Sequence, residues 1–209
     1  MILSLLTKQR LTVILGPTVM SKDNIITLPN PHLRQKSQRV GVITDAIRQV
    51  VMEMEAATID WDVSRAHEVG VALAAIQLDQ PYKIVVLRND YNDKANHDFT
   101  VFINPKIVKA DGGMTKDFEG CLSIPNVYGQ VPRYSRVKVK AQSLDGKVFR
   151  VTAEGFLARV FQHEIDHCDG IMFIDHIKDD PEAFFRLDRN GKLQPLDYEE
   201  SIKNNRLLW

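Results

Sequence analysis

Hydrophobic periodicity switches twice along this chain, and the order of the switches limits the folds open to it. From about residue 38 to 57, Val40, Ile43, Ile47, Val50, Val51 and Met54 recur at helical spacing and predict an N-terminal amphipathic helix. YKIVVLRND (82–90), FTVFINPKIV (99–108), RVKVKAQSL (136–144) and KVFRVTAEG (147–155) are then β-rich, several with period-two alternation. Asp145 and Gly146 in LDGK predict a hairpin turn between the last two. A second helix is expected over about 157–168, with Gly170 placed to end it. Helix, strands, then helix implies an α+β fold with antiparallel sheets packed around the second helix, rather than a βαβ parallel array. LPNPHLR (28–34), with two prolines, reads as a turn-rich lead-in, and TIDWDVSRAHE (58–68) as a polar loop.

With 209 residues, 44% of them hydrophobic, the chain can bury a sizeable core, and its length favours one domain with appendages. Lys plus Arg and Asp plus Glu balance at 27 each, which argues against nucleic-acid or membrane binding by bulk charge. Two cysteines, Cys121 and Cys168, are too few for a disulfide scaffold and suit a reducing compartment. That points to the cytoplasm and leaves an organelle open. No run approaches the roughly 18 apolar residues of a membrane-spanning helix. The first twenty residues are apolar, carry Lys8 and Arg10, and lack an acid. No small-residue cleavage site follows, so a secretory signal fits poorly. A targeting segment, an upstream extension, and a start at Met20 all remain open. From Asp180 onward five basic and six acidic side chains alternate, as in a surface helix or strap.

The chemistry-bearing stretch is FQHEIDHCDG (161–170). On a helix, positions four apart lie about 40° apart around the axis, so His163 and His167 share a face. Two imidazoles there can hold one metal ion, with Glu164 beside its open side. Two ordinary histidines would give the same short motif, so a third ligand is needed. Cys121, in FEGCLSIPN (118–126), is a candidate, although a free cysteine often packs as a small hydrophobe. Cys168 points about 100° away from His167 and should not reach the same ion. The longer zinc-protease pattern fails because Phe173 stands where its third histidine belongs.

Three blocks, GVALAAIQ (70–77), EGCLS (119–123) and QHEIDH (162–167), resemble the peptide deformylases in sequence and order. LPNPHLR and VPRYSRVKV extend the likeness over about 25–177. It implies an N-terminal extension (1–19), a deformylase-like catalytic domain (20–178) and a C-terminal extension (179–209). The resemblance implies removal of the formyl group from the N-terminal formyl-methionine of newly made peptides, with transient ribosome contact an open possibility. Cys121, His163 and His167 would bind one divalent ion, leaving a fourth position for water. Glu164 would act as general base and then acid. The Gln77 amide and the Leu122 backbone N–H would donate to the formyl oxygen. Leu122, Val160 and His163 would form the methionine pocket, with Gly70 and Ala72 along the substrate.

Family members usually carry glycine where Ala72 stands and often proline or a small polar residue at Ile76. Positive φ at 72 would cost alanine on the order of 1 kcal/mol, and a methyl in the groove would narrow it. These departures motivate a rival reading, a metal-stabilised and catalytically weakened peptide-binding homologue. The family resemblance implies Fe²⁺ with Zn²⁺ or Ni²⁺ as substitutes, whereas two imidazoles and a thiolate suit zinc by ligand type. It also implies an Arg133–Asp166 ion pair behind the ligand-bearing helix, since an unpaired buried carboxylate costs several kcal/mol.

Overall fold

The computed structural model describes residues 21–65 and 67–204. The extension expected over 1–19 lies outside them. Helix α1 spans Asp45–Ser64, started by the Thr44 hydroxyl, which accepts from the Ile47 N–H. Strands β1 (Ala72–Ala74) and β2 (Ile84–Arg88) lead into β3 (Phe99–Cys121) and β4 (Ile124–Gln142), 23 and 19 residues long. Strand β5 (Val148–Glu154) runs into helix α2 (Gly155–Cys168), and a hairpin of β6 (Phe184–Leu187) and β7 (Leu193–Pro195) follows. All seven strands form one sheet, ordered β1-β2-β3-β4-β6-β7 with β5 also on β4, and every pairing among them is antiparallel.

Helix α2 packs on the sheet through Ala158, Val160, Phe161, Ile165 and Cys168, which meet Val137, Val139, Ala141 and Ala153. Helix α1 covers a second cluster with Val50, Met54, Ala57 and Trp61 against Leu73, Ile84, Val86 and Ile103. Helix α2 stops because Gly170 takes φ +77 and passes so close to Arg34 that a Cβ would lie 2.4 Å from its carbonyl oxygen. Among the described residues no helix is long and apolar enough to cross a membrane.

Four expectations need correction. The first helix starts later than 38 and ends later than 57. Val40 is buried in extended chain, where its N–H and C=O are both bonded by the Asn104 side chain. Residues 58–64, expected as loop, continue α1, because Thr58, Trp61 and Asp62 extend the buried stripe of Met54 and Ala57. The expected separate sheets are one. Residues 109–120 look like a glycine-rich connection because they are mostly exposed, yet they pair with β4 through several bulges. Finally, the tail supplies a hairpin ahead of its short helical segment: β6 joins β4 at Tyr128 and Gly129, and Glu199–Lys203 is π-helical with Ile202 buried.

Candidate active site

Cys121 ends β3 and is followed by the two-residue turn Leu122–Ser123 into β4, which fixes where its side chain emerges. Helix α2 crosses above it and brings down His163, Glu164 and His167, all buried. Ligand atoms of Cys121, His163 and His167 lie within 4.8 Å of one another. Cys121 Sγ is 3.2 Å from His167 Nε2, and the two imidazole centroids are 4.9 Å apart.

Behind this group sits Glu119, to which the sequence reading assigned no role. It accepts from Arg133 Nε and Nη2 (2.9 and 3.0 Å), from Arg159 Nη1 (2.8 Å), and contacts His163 Nδ1 at 2.9 Å. Burial opposes its ionisation, but hydrogen bonds from His163 and Arg133 outweigh burial and hold its carboxyl well below the usual range. Fixing Nδ1 on a carboxylate leaves Nε2 of His163 as the free ligand atom. Burial likewise works against charge on His163, yet Cys121 and Glu119 raise its pKa well above normal. A proton held there is one that a cation would displace. The expected Arg133–Asp166 pair is present at 2.5 Å, and Asp166 also accepts from His176.

Gln77 occupies a short 3₁₀ turn after β1 (Ala75–Leu78). Its Oε1 accepts from the Ala74 N–H at 2.9 Å, which turns Nε2 toward Ser123 Oγ (3.1 Å) and Cys121 Sγ (3.7 Å). A cavity of about 240 Å³ opens in front, lined by Ala72, Gln77, Leu122, Val160, His163 and Glu164 among others. Gly70 is not in that lining. Its N–H donates to Asp62, its carbonyl accepts from the fully buried Arg88, and a Cβ there would meet Thr58 at 2.9 Å. Its glycine is required by packing on α1. Ala72 lies in β1 without positive φ, so its methyl carries no backbone strain. Ile76 is buried in the core away from the lining.

The cavity's outer wall was not foreseen. Trp61 from the end of α1, then His67, Glu68 and Val69, face Phe118, Tyr128 and Phe156. Arg65 stacks over Trp61, pairs with Glu68 at 3.4 Å and donates to Asn126 at 3.0 Å. Burial first, then the charge and hydrogen bond of Glu68, raise the Tyr128 pKa. The tip of the C-terminal hairpin reaches this wall, where Gly191 passes against the His67 ring. A continued α1 stripe through Trp61 was the sequence signal that could have found it.

The residues fit one divalent cation. Sulfur and two imidazole nitrogens converge, and the Glu164 Oε2 beside them is buried without a hydrogen-bond partner among the described groups. Burial raises the Glu164 pKa to about 7; His163 opposes the shift and Glu119 adds to it. Cys168 packs in the core instead, where burial pushes its thiol up to about 12.

A helix carrying two histidines and a glutamate, laid on an antiparallel sheet that supplies a cysteine, defines a hydrolase of the metal-site type. The family model for polypeptide deformylase matches residues 22–182. A peptide deformylase of Thermomicrobium roseum is 44% identical over 163 residues, spanning 77% of this chain and 88% of the relative. The structure of a Synechococcus elongatus peptide deformylase in complex with actinonin superposes with a TM-score of 0.68 at 28% identity, covering 99% of this chain and 94% of that one. That of the Thermotoga maritima enzyme gives 0.63 at 32% identity, covering 73% and 95%. The chain belongs to the peptide deformylase family.

Proposed function

We propose that this chain removes the formyl group from N-terminal formyl-methionine of newly made peptides in the cytoplasm, in transient contact with the ribosome. The observation that carries the mechanism is the buried Glu164 carboxylate, one oxygen unpartnered, beside converging sulfur and imidazole ligands at a cavity wall. Cys121, His163 and His167 would hold the cation, which when bound supplies a Lewis acid able to bring the pKa of water to about 7. Fe²⁺ is our choice within the family, with Zn²⁺ or Ni²⁺ as substitutes.

Glu164 takes the proton of the attacking water and returns it to the departing amine, which a carboxyl near neutral pKa does in both directions. Gln77 Nε2, held from behind by Ala74, donates to the formyl oxygen as charge builds there, with the Leu122 N–H as the second donor. Losing such a donor typically raises the barrier by about 2.7–4 kcal/mol. Leu122, Val160 and His163 line the cavity for the methionine side chain. Graded selectivity is expected there, because one methylene is worth only about 1–3 kcal/mol. The residues 20–178 form the catalytic unit in this reading, and 179–209 a supporting extension.

The weakened-homologue reading drew on Ala72 and Ile76. An unstrained Ala72 and a core-buried Ile76 remove the backbone and Ile76 grounds for it, and the Ala72 methyl on the cavity wall is the ground that stays. The test is release of formate from a formyl-Met peptide by protein of measured metal content. We expect turnover by the native chain and a loss of about 10²–10⁴-fold in Glu164→Ala with metal retained. An inactive, fully loaded native chain would favour the binding homologue, and an active Glu164→Ala would refute the base assignment.

A further inference from the structure

The charge balance of the whole chain conceals a local excess on the sheet face opposite α2. Along β4, Val137, Val139 and Ala141 point into the core, so the intervening Lys138 and Lys140 face solvent. Register places Lys140 between Lys106 of β3 and Arg150 of β5, and Lys138 beside Lys109. The backbone positions that carry these cations are therefore about 4.8 Å apart across strands and about 7 Å apart along them. Lys109 has Asp111 as a partner at 2.6 Å. Lys106, Lys138, Lys140 and Arg150 make no ion pair among the described residues. The acids in ion pairs on this face, Asp111 and Glu154, gather around Lys109 and Arg136.

Like charges directly opposite one another destabilise a sheet. Lysines often guard exposed sheet edges against aggregation, but β4 is flanked on both sides here, so edge protection does not account for Lys138 and Lys140. We propose that this face is a docking surface for the phosphate backbone of folded RNA. The cations form a compact grid open to solvent, and the named positions of the grid offer no aromatic ring for stacking unpaired bases, so binding would read backbone rather than sequence. A membrane surface fits less well, since insertion uses Trp, Phe or Leu, whereas the exposed apolar side chains on these strands are Val108, Met114 and Val148, with Tyr134 as the one exposed ring among the described residues of β4. This surface lies across the sheet from the cavity, so substrate and RNA would not compete.

The experiment uses the full metal-loaded chain and a short labelled RNA duplex, with phosphatidylglycerol vesicles as the second probe. Four unpaired cations predict a slope of log affinity against log salt of about −3.6, a loss on the order of 100-fold between 50 and 200 mM salt. Lys138→Glu/Lys140→Glu should abolish RNA binding at moderate salt while turnover of a formyl-Met peptide stays within about twofold. Lys138→Gln/Lys140→Gln, which adds no repulsion that might unfold the sheet, should flatten the slope by about 1.8. No RNA binding at low salt, an unchanged slope in the glutamine variant, or binding to vesicles alone would overturn the proposal.

Discussion

The two walls of the cavity are built on different physical terms. On the inner wall, Cys121, His163, Glu164 and His167 rest on Glu119, Arg133 and Arg159, all buried, and each charge there has a charged neighbour. On the outer wall, Trp61, Arg65, Glu68 and Tyr128 interact through a longer ion pair and a cation–π contact, with the Arg65 and Glu68 side chains 28% and 20% exposed. Breaking a buried pair leaves an uncompensated charge and costs about 3–5 kcal/mol, whereas exposed pairs are worth about 0–1 kcal/mol. The inner wall should therefore answer mutation in metal content, stability and turnover number. The outer wall should answer in substrate affinity.

The largest effect expected is on the metal. Cys121→Ser removes a thiolate from the proposed ligand set and should strip most of the bound cation, while Cys168→Ser removes a core thiol and should leave metal content nearly unchanged. Metal per chain in the two purified variants is the measurement. Equal losses would mean the ligand set is wrong.

Glu119→Gln comes next. It leaves Arg133 and Arg159 without their shared carboxylate and frees His163 Nδ1, so we expect a stability loss of about 3–5 kcal/mol and metal affinity about 10–100-fold weaker. Urea unfolding and a metal-competition titration would measure the two. A loss below about 1 kcal/mol would put the inner wall on the same footing as the outer one.

A subtler test uses pH. Glu164 is raised in the folded chain to about 7 from an ordinary value of 4.5. Its protonated form is favoured by folding, so its stabilising contribution is fully present below about 4.5 and is lost as pH rises through about 7. For metal-free protein this amounts to about 3 kcal/mol. Between pH 5 and 8, metal-free native chain should lose stability relative to Glu164→Gln by nearly that amount, and a bound dication, which favours the carboxylate, should shrink the difference. Parallel stability curves for the two proteins would remove burial as the source of the shift.

The same contrast explains what could be read from the sequence. Cys121, His163, Glu164, His167 and Gln77 lie in short motifs whose spacing encodes their geometry, and the structure brings all five to one place. Glu119 stood inside a quoted motif without a role, because its partners Arg133 and Arg159 come from β4 and α2 and no local pattern joins them. On the outer wall, Arg65, His67 and Glu68 do lie outside the helix. Residues 58–64 beside it were misread as loop because their buried positions include Thr58 and Asp62, polar residues satisfied by the Met54 carbonyl and by Arg88. A periodicity of hydrophobic residues does not register such positions. Gly70 was taken for a substrate contact because it begins a motif, yet its glycine answers to Thr58.

Glu68→Gln should produce the smallest effect. Glu68 accepts from the Tyr128 hydroxyl and pairs with Arg65, and both interactions sit on the wall facing, rather than forming, the ligand cluster. A neutral amide keeps the shape and can still accept from the hydroxyl, so folding should change by less than about 1 kcal/mol. Removing the negative charge should also ease ionisation of Tyr128, lowering its titration from the raised position, which ultraviolet absorbance can follow. In the kinetics of formyl-Met tripeptides we expect KM to change a few-fold with kcat preserved, the signature of binding lost equally from ground and transition states. Should kcat instead fall as far as in Glu119→Gln, the outer wall would belong to the chemistry, and the distinction between the two walls would be wrong.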